Sequence, residues 1–404
     1  MLTVYLALTF VSAAPAATPW SGFRGDGRSV ADQAEPPLAW SDNEGIAWQT
    51  KLDGYGQSSP VVAGDQIFIT SISGKSKEKG LVAAYDLKTG ARRWVAQVPA
   101  SQLVPDGDMV SRGAPTPCAD DKAVYAFFES GDLAAFDPAG KMLWHRKLAA
   151  EYGEYKGNHG FGGSPTQSAD AIFLLVDHDG PSYLLAVDKA TGKNLWKTDR
   201  PSKISWSSPV YSATPQPTVV VSSNGSVEAY SAADGKQLWS HGDLDGNTVA
   251  SPTPAGSKWI IGSSDAGETV ALRPTTLESA ASGSPEVIWK LDKLASSFSS
   301  PLVYRDHVYV VNKTGVAACV EENAGKELWT ERLPGSCWAT PLGAAGRIYF
   351  FGKDGVTTVV AAGPQFERLA ENRLTIEGRV YGAAAVGKAL YLRTGEKLIC
   401  VGHP

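Results

Sequence analysis

GSPTQSADAIFLLVDHDGPSYLLAVDKATGKNLW, residues 163–196, is one unit of a repeat, and the repeat decides the fold. It opens with two small residues and a proline, Gly163-Ser164-Pro165. A β-branched and aromatic run follows, Ala171-Ile172-Phe173-Leu174, which reads as a strand. Asp177-His178-Asp179-Gly180 has the composition of a hairpin turn. The next strand ends at Asp188, and Asp188-Lys189-Ala190-Thr191-Gly192 leads through a second turn to Trp196. In that turn the Asp carboxylate can accept backbone N–H bonds and Gly can take a left-handed conformation. The Trp supplies a broad apolar plate for a neighbouring unit, with an indole N–H that still needs an acceptor.

Working outward, the opening step recurs as Ser58-Ser59-Pro60, Ser207-Ser208-Pro209, Ala250-Ser251-Pro252, Ser299-Ser300-Pro301 and Ala339-Thr340-Pro341. Gly113-Ala114-Pro115 is read as a variant, and Gly382-Ala383-Ala384 as a copy that has lost its proline. The spacing is about 40 to 55 residues, that of a four-stranded propeller blade. The Asp to Gly to Trp element returns at Asp86, Gly90 and Trp94, and at Asp137, Gly140 and Trp144. Blade five keeps Trp289, and in blade seven Phe366 is read in place of the Trp. The last repeat lacks its Trp strand, which is found instead at Ile46-Ala47-Trp48-Gln49-Thr50. An N-terminal strand that completes the last blade would close the ring and leave no open edge between first and last blades. The expectation is an all-β, eight-bladed propeller, or seven-bladed if one divergent repeat is misread.

The copies of D-x-x-T-G-x-x-x-W, each in a blade opened by small-small-Pro, resemble the PQQ-like β-propeller repeat family. That family includes quinoprotein alcohol dehydrogenases and BamB-like assembly lipoproteins. Trp20-Ser21-Gly22-Phe23-Arg24-Gly25 also resembles the start of many exported members. The resemblance runs from about Trp20 to the C-terminus and implies the fold more strongly than any activity. For the dehydrogenases it implies PQQ held by a vicinal Cys-Cys disulfide, with Ca²⁺ and a carboxylate base. Cys118, Cys319, Cys337 and Cys400 are nowhere adjacent, and no C-x-x-C-H motif is present. No cofactor or metal is therefore expected, and PQQ with Ca²⁺ is the alternative. The four cysteines fall in different repeats and are expected to be buried free thiols.

Composition is that of a globular protein, with 43% hydrophobic and 20% charged residues. A net charge of −5 without a basic stripe argues against a nucleic-acid partner. Residues 1–16 read as a secretion signal, from an apolar run Leu2 to Val11 and the A-x-A site Ala14-Pro15-Ala16. The run is too short to span a bilayer, and no cysteine for a lipid anchor lies near the site. The division expected is signal 1–16, extension 17–45 and one propeller 46–404, in an exported, soluble monomer.

Asp243-Leu244-Asp245-Gly246-Asn247 only superficially resembles a calcium loop, because Pro254 stands where the bidentate Glu belongs. The position three before each repeat proline is equivalent in every blade and should line one rim of the channel. It reads Gln57, Arg112, Gly162, Trp206, Val249, Phe298, Trp338 and Tyr381. His159 and Phe161, from the glycine-rich loop between blades two and three, are expected to overhang the same rim. These aromatic and Arg residues suit a stacked flat ligand, a sugar or a peptide, or else plug the channel by packing on one another. A binding or scaffold protein of the cell envelope with protein partners is the expected function. A quinone-dependent oxidoreductase and a carbohydrate or small-ligand binder are the alternatives.

Overall fold

The computed structural model describes residues 19–104, 110–157, 159–264, 267–275 and 283–404, so the signal read at 1–16 lies outside the described residues. Eight four-stranded antiparallel sheets follow one another around a ring. Seven are built from consecutive strands, at 61–99, 118–147, 166–200, 210–241, 253–291, 302–332 and 342–373. The eighth takes three strands from 382–403 and its outermost strand, Ile46–Lys51, from the N-terminal side of the chain. Trp48 stands opposite Cys400 and Thr50 opposite Leu398, so the ring closes as the sequence implies.

The core lies between blades, and the period-two geometry of a strand explains why. Along Ala171–Val176 every side chain is buried, yet Ile172, Leu174 and Val176 face blade two while Ala171, Phe173 and Leu175 face blade four. Strands buried on both faces must be continuously apolar. The outermost strands alternate instead, as in Arg92–Pro99.

The conserved turn chemistry joins one blade to the next. Asp86 Oδ1 accepts from Thr89 N at 2.9 Å and Thr89 Oγ1 at 2.8 Å, which fixes the turn. Gly90 then lies on the indole of Trp48 in the preceding blade, where an added Cβ would sit 2.3 Å from the ring. Gly140 on Trp94, Gly192 on Trp144 and Gly235 on Trp196 repeat the contact. The indole N–H finds its acceptor in that same turn. Trp94 Nε1 donates to Pro138 O and Trp144 Nε1 to Lys189 O, both at 2.9 Å. Trp48 Nε1, at the closure seam, is buried with no partner among the described residues.

Blade seven corrects one reading. Its bulged register pairs Val359 with Ala370, as Cys319 pairs with Trp329 in blade six, so Ala370 and not Phe366 holds the Trp position. Phe366 lies in the preceding turn and packs on Trp329, with centroids 5.2 Å apart. The missing plate comes from the extension: Trp40 stacks on Tyr349 at 6.5 Å, beside Ala370. In blades one, two, three, six and eight the Trp leans on the equivalent ring of its own sheet, as Trp94 does on Phe68 at 6.0 Å.

The rest of the extension is a strap across one end of the channel. Trp20 pairs with Val62 of blade one, and Ser21 O accepts from Ala119 N of blade two and Gln167 Nε2 of blade three. Gly27 packs on Val210 of blade four, where a Cβ would meet a methyl at 2.8 Å. Arg24 reaches Pro252 O and Thr253 Oγ1 of blade five and Pro301 O of blade six. Ser29 and Ala31 pair with Gly343 of blade seven, and Glu35 N donates to Gly387 O of blade eight.

Candidate functional site

The innermost strands line the channel, and the residues leading into them form its rim. Across these segments the blades are tied by a chain of hydroxyls. Ser59 N donates to Thr116 Oγ1, Thr116 N to Ser164 Oγ, Ser164 N to Ser208 Oγ, Ser208 N to Ser251 Oγ and Ser251 N to Ser300 Oγ, at 2.8–3.0 Å. Ser300 N continues the chain to Thr340 Oγ1 at 3.1 Å. The small residues of the repeat are thus selected for a hydroxyl that caps the neighbouring blade's N–H as well as for size.

The hydroxyl chain resets one rim position and strand register a second. In blade two the linked residue is Thr116, so the repeat proline is Pro117, two residues later than read from the sequence. The strand register agrees: Asp120 N bonds Ala123 O across the following turn, and Pro117 lies three residues before Asp120, as Pro60 lies three before Ala63, which pairs with Gln66. Ala114, not Arg112, therefore occupies the rim position and lines the channel. Arg112 lies outside it, with its guanidinium 5.5 Å over the Tyr55 ring and its backbone N–H donated to Gln57 Oε1. In blade eight Val386 pairs with Ala389, which puts Ala383 in the proline position and Val380, which is buried, at the rim. Tyr381 still reaches the channel, one residue out of step. Phe161 does not overhang the rim. It is buried between blades two and three, edge-on to Phe127 at 5.1 Å, because its neighbours are apolar rings and not water.

Gln57, His159, Trp206, Phe298, Trp338 and Tyr381 do converge, around a cavity of about 520 Å³ that opens at the rim. Its floor is Phe23 of the strap. Beneath lies the Arg24 guanidinium, fully buried and held by backbone carbonyls and a Thr hydroxyl, and desolvation lowers it to about 9. The rings are tilted against one another: Phe298 and Trp338 are 4.6 Å apart at 44°, and His159 and Trp206 are 5.7 Å apart at 60°. Tyr55 and Tyr381 meet at 77° with their hydroxyls 2.5 Å apart. Two cations that the rim reading overlooked join the lining. Arg379 lies over Trp338 at 4.2 Å and Lys313 over Phe298 at 5.8 Å. Neither precedes a repeat proline; both come from loops between strands, and no periodicity marks them.

The described residues of this lining include no Asp, Glu or Cys. A calcium ion has no carboxylate ligand here and a flat quinone no parallel pair of rings, so the lining does not fit PQQ with Ca²⁺. All four cysteines are buried and unpaired. Among the described residues no cluster of His, Cys, Asp or Glu could hold a metal, and no helix is long and apolar enough to cross a membrane.

Comparison with known proteins adds the relatives. The chain matches the family described as outer membrane protein assembly factor BamB over residues 13–158, 156–320 and 277–365. It is 28% identical over 233 residues to BamB of Nitrosomonas eutropha, covering 53% of this chain and 50% of the relative. To BamB of Burkholderia pseudomallei it is 27% identical over 220 residues, covering 53% and 52%. The chain spans about half the length of these curated relatives. Among solved structures, BamB from Moraxella catarrhalis superposes with a TM-score of 0.64 at 18% identity, over 88% of this chain and 97% of that one. A europium-containing methanol dehydrogenase gives 0.68 at 13% identity, over 93% and 89%. At such identities the two structures speak for the shared fold alone.

Proposed function

The chain belongs to the PQQ-like β-propeller family of outer membrane assembly factor BamB, and from that premise we propose that it is a non-catalytic scaffold of the cell envelope that binds other proteins. The observation that carries this reading is the outer rim of blades one to three. Val95, Met142, Leu143 and Leu195 are exposed there on outermost strands. Leu143 and Leu195 hold equivalent places beside Trp144 and Trp196, on strands joined by the Arg146 to Asn194 bond of 2.6 Å. Exposed apolar side chains on an unpaired strand edge suit strand addition by a protein partner. Export by the segment 1–16 is part of the proposal, and sequencing the N-terminus of the mature protein checks it.

The test is complementation of a deletion strain, reading the outer-membrane protein content. Wild type should restore it and the double variant Leu143→Arg, Leu195→Arg should not, at equal protein level. Full restoration by the double variant would remove this surface from the proposal. An oxidoreductase reading is tested by titrating the protein with PQQ and Ca²⁺ and adding alcohols and a redox dye. No saturable binding is expected, and dye reduction would make the protein an enzyme.

The open cavity favours a second reading, a small-ligand site at the rim. Its 520 Å³ lies within the roughly 300–1,000 Å³ usual for such sites.

A further inference from the structure

We infer that the open end of the channel binds an anionic sugar, a pyranose that carries a carboxylate or a sulfate; this rests on the second reading above, that the cavity is a ligand site. Charge points first to an anion. The chain carries a net −5, yet the described channel lining holds Arg379 and no acidic residue, with Arg24 beneath the floor. A cleft with low-dielectric walls concentrates that positive field. Arg379 lies over Trp338 with its Cζ 4.2 Å from the ring centroid, and its N–H groups can serve as a fork for two oxygens. Among the described residues no carboxylate and no hydrogen-bond acceptor occupies that fork.

The hydrogen-bonding groups point next to an oxygen-rich ligand. The hydroxyls of Thr116, Ser164, Ser208, Ser251 and Ser300 each accept an N–H from the blade before, so each retains a proton to donate. These residues all line the cavity. His159 Nδ1 is buried at the Trp206 side with no partner, a further polar atom that a ligand hydroxyl would satisfy.

Ring geometry then separates a sugar from a flat aromatic acid. A planar polycycle is best held between parallel faces. The ring pairs within the lining are inclined by 44° and 60°. A puckered pyranose needs only one ring face for its C–H side, and Trp206 in the lining can offer one.

The experiment titrates the full mature protein with glucuronate, galactose 6-sulfate, glucose and benzene-1,3,5-tricarboxylate by calorimetry. One or both anionic sugars should bind saturably and more weakly as salt rises, with glucose at least about ten-fold weaker. Which of the two binds tells carboxylate from sulfate. Arg379→Gln should lose about ten-fold and Arg379→Lys should recover part of it, at unchanged melting temperature. Tighter binding of the flat tricarboxylate, or equal binding of glucose, would overturn the proposal. Quenching of tryptophan fluorescence separates the two levels. If iodide quenches more than caesium and neither anionic sugar binds, the cationic open site stands and the sugar falls. If the two ions quench alike, the site itself falls.

Discussion

At the scale of the residue, the docking of glycine on tryptophan sets what each blade tolerates. Gly90 has φ 69° and Gly225 has φ 88°, so alanine is strained at both. Only at Gly90 would the new Cβ also strike a ring, that of Trp48. Gly225→Ala should cost about 1 kcal/mol from the backbone alone, and Gly90→Ala about 1–3 kcal/mol more from overpacking. Equal losses in urea unfolding would show that the indole is not what excludes a side chain at Gly90. The sequence shows the left-handed requirement because it is local. The requirement for no Cβ comes from a tryptophan about 40 residues away and is visible only across the blade interface. The buried thiols give a second residue-level expectation. Burial pushes Cys118, Cys319, Cys337 and Cys400 from about 9 up to about 12. Between those values the unfolded chain sheds protons that the folded chain keeps, so stability present below about pH 9 is lost as pH climbs toward 12. Buried Tyr125, Tyr309 and Tyr391 are raised as well and act in the same sense. Arg24 and Arg393, lowered to about 9, act in the opposite sense but are outnumbered. Melting temperature should hold steady to about pH 8 and fall above about 9; a plateau through pH 11 would contradict the burial of these groups.

At the scale of the element, two strands are completed by residues from elsewhere in the chain, and each carries an expectation. Trp48 is only half-buried, and its indole N–H lacks the acceptor that Trp94 has in Pro138. Trp48→Ala should therefore cost about 2 kcal/mol, below the 3–5 typical of a fully buried aromatic, and Trp94→Ala about 1 kcal/mol more for its hydrogen bond. Trp40 is 5% exposed and stands in for the Trp that blade seven lacks. Trp40→Ala should cost about 3 kcal/mol although the residue lies outside every sheet; a loss under about 1 kcal/mol by chemical denaturation would mean the extension does not support the blade. The closure strand was legible because a Trp strand was missing at one end of the repeat and present at the other. The role of Trp40 was not, since nothing local distinguishes it from a loop tryptophan. The same limit explains the two shifted rim positions. Blade two has prolines at 115 and 117, and only contacts across blades and strands, the Thr116 link and the strand register, select the second. Blade eight has none, and a run of small residues leaves its register open.

At the scale of the molecule, the extension makes the ring a vessel with one mouth, which the repeat pattern alone did not imply. Blade equivalence alone leaves the channel open at both ends. The strap at 20–35 closes one of them by touching all eight blades at the end opposite the aromatic rim. Gly27 allows the close approach, since a Cβ there would lie 2.8 Å from a Val210 methyl, and Gly22 lies beside Cys118. Cys118 also faces the small cavity of about 100 Å³ beneath the strap. A chain beginning at residue 45 keeps Ile46–Lys51, so the ring can still close, but it loses Phe23, Arg24 and Trp40. Such a chain should fold to the same β content at a lower melting temperature. Under native conditions it should also expose one thiol to an aromatic disulfide reagent, where the full chain exposes none. Cys118→Ser in the shortened chain should abolish that reaction, since Cys319 and Cys337 pack in a cluster of blades six and seven and Cys400 lies opposite Trp48 and against Tyr391, all of which the shortened chain keeps. Reaction of several thiols at similar rates would show that the strap holds the whole ring together. No reaction at all would mean that blades two and three bury Cys118 unaided, and that the strap stoppers the channel without sealing the wall beside it.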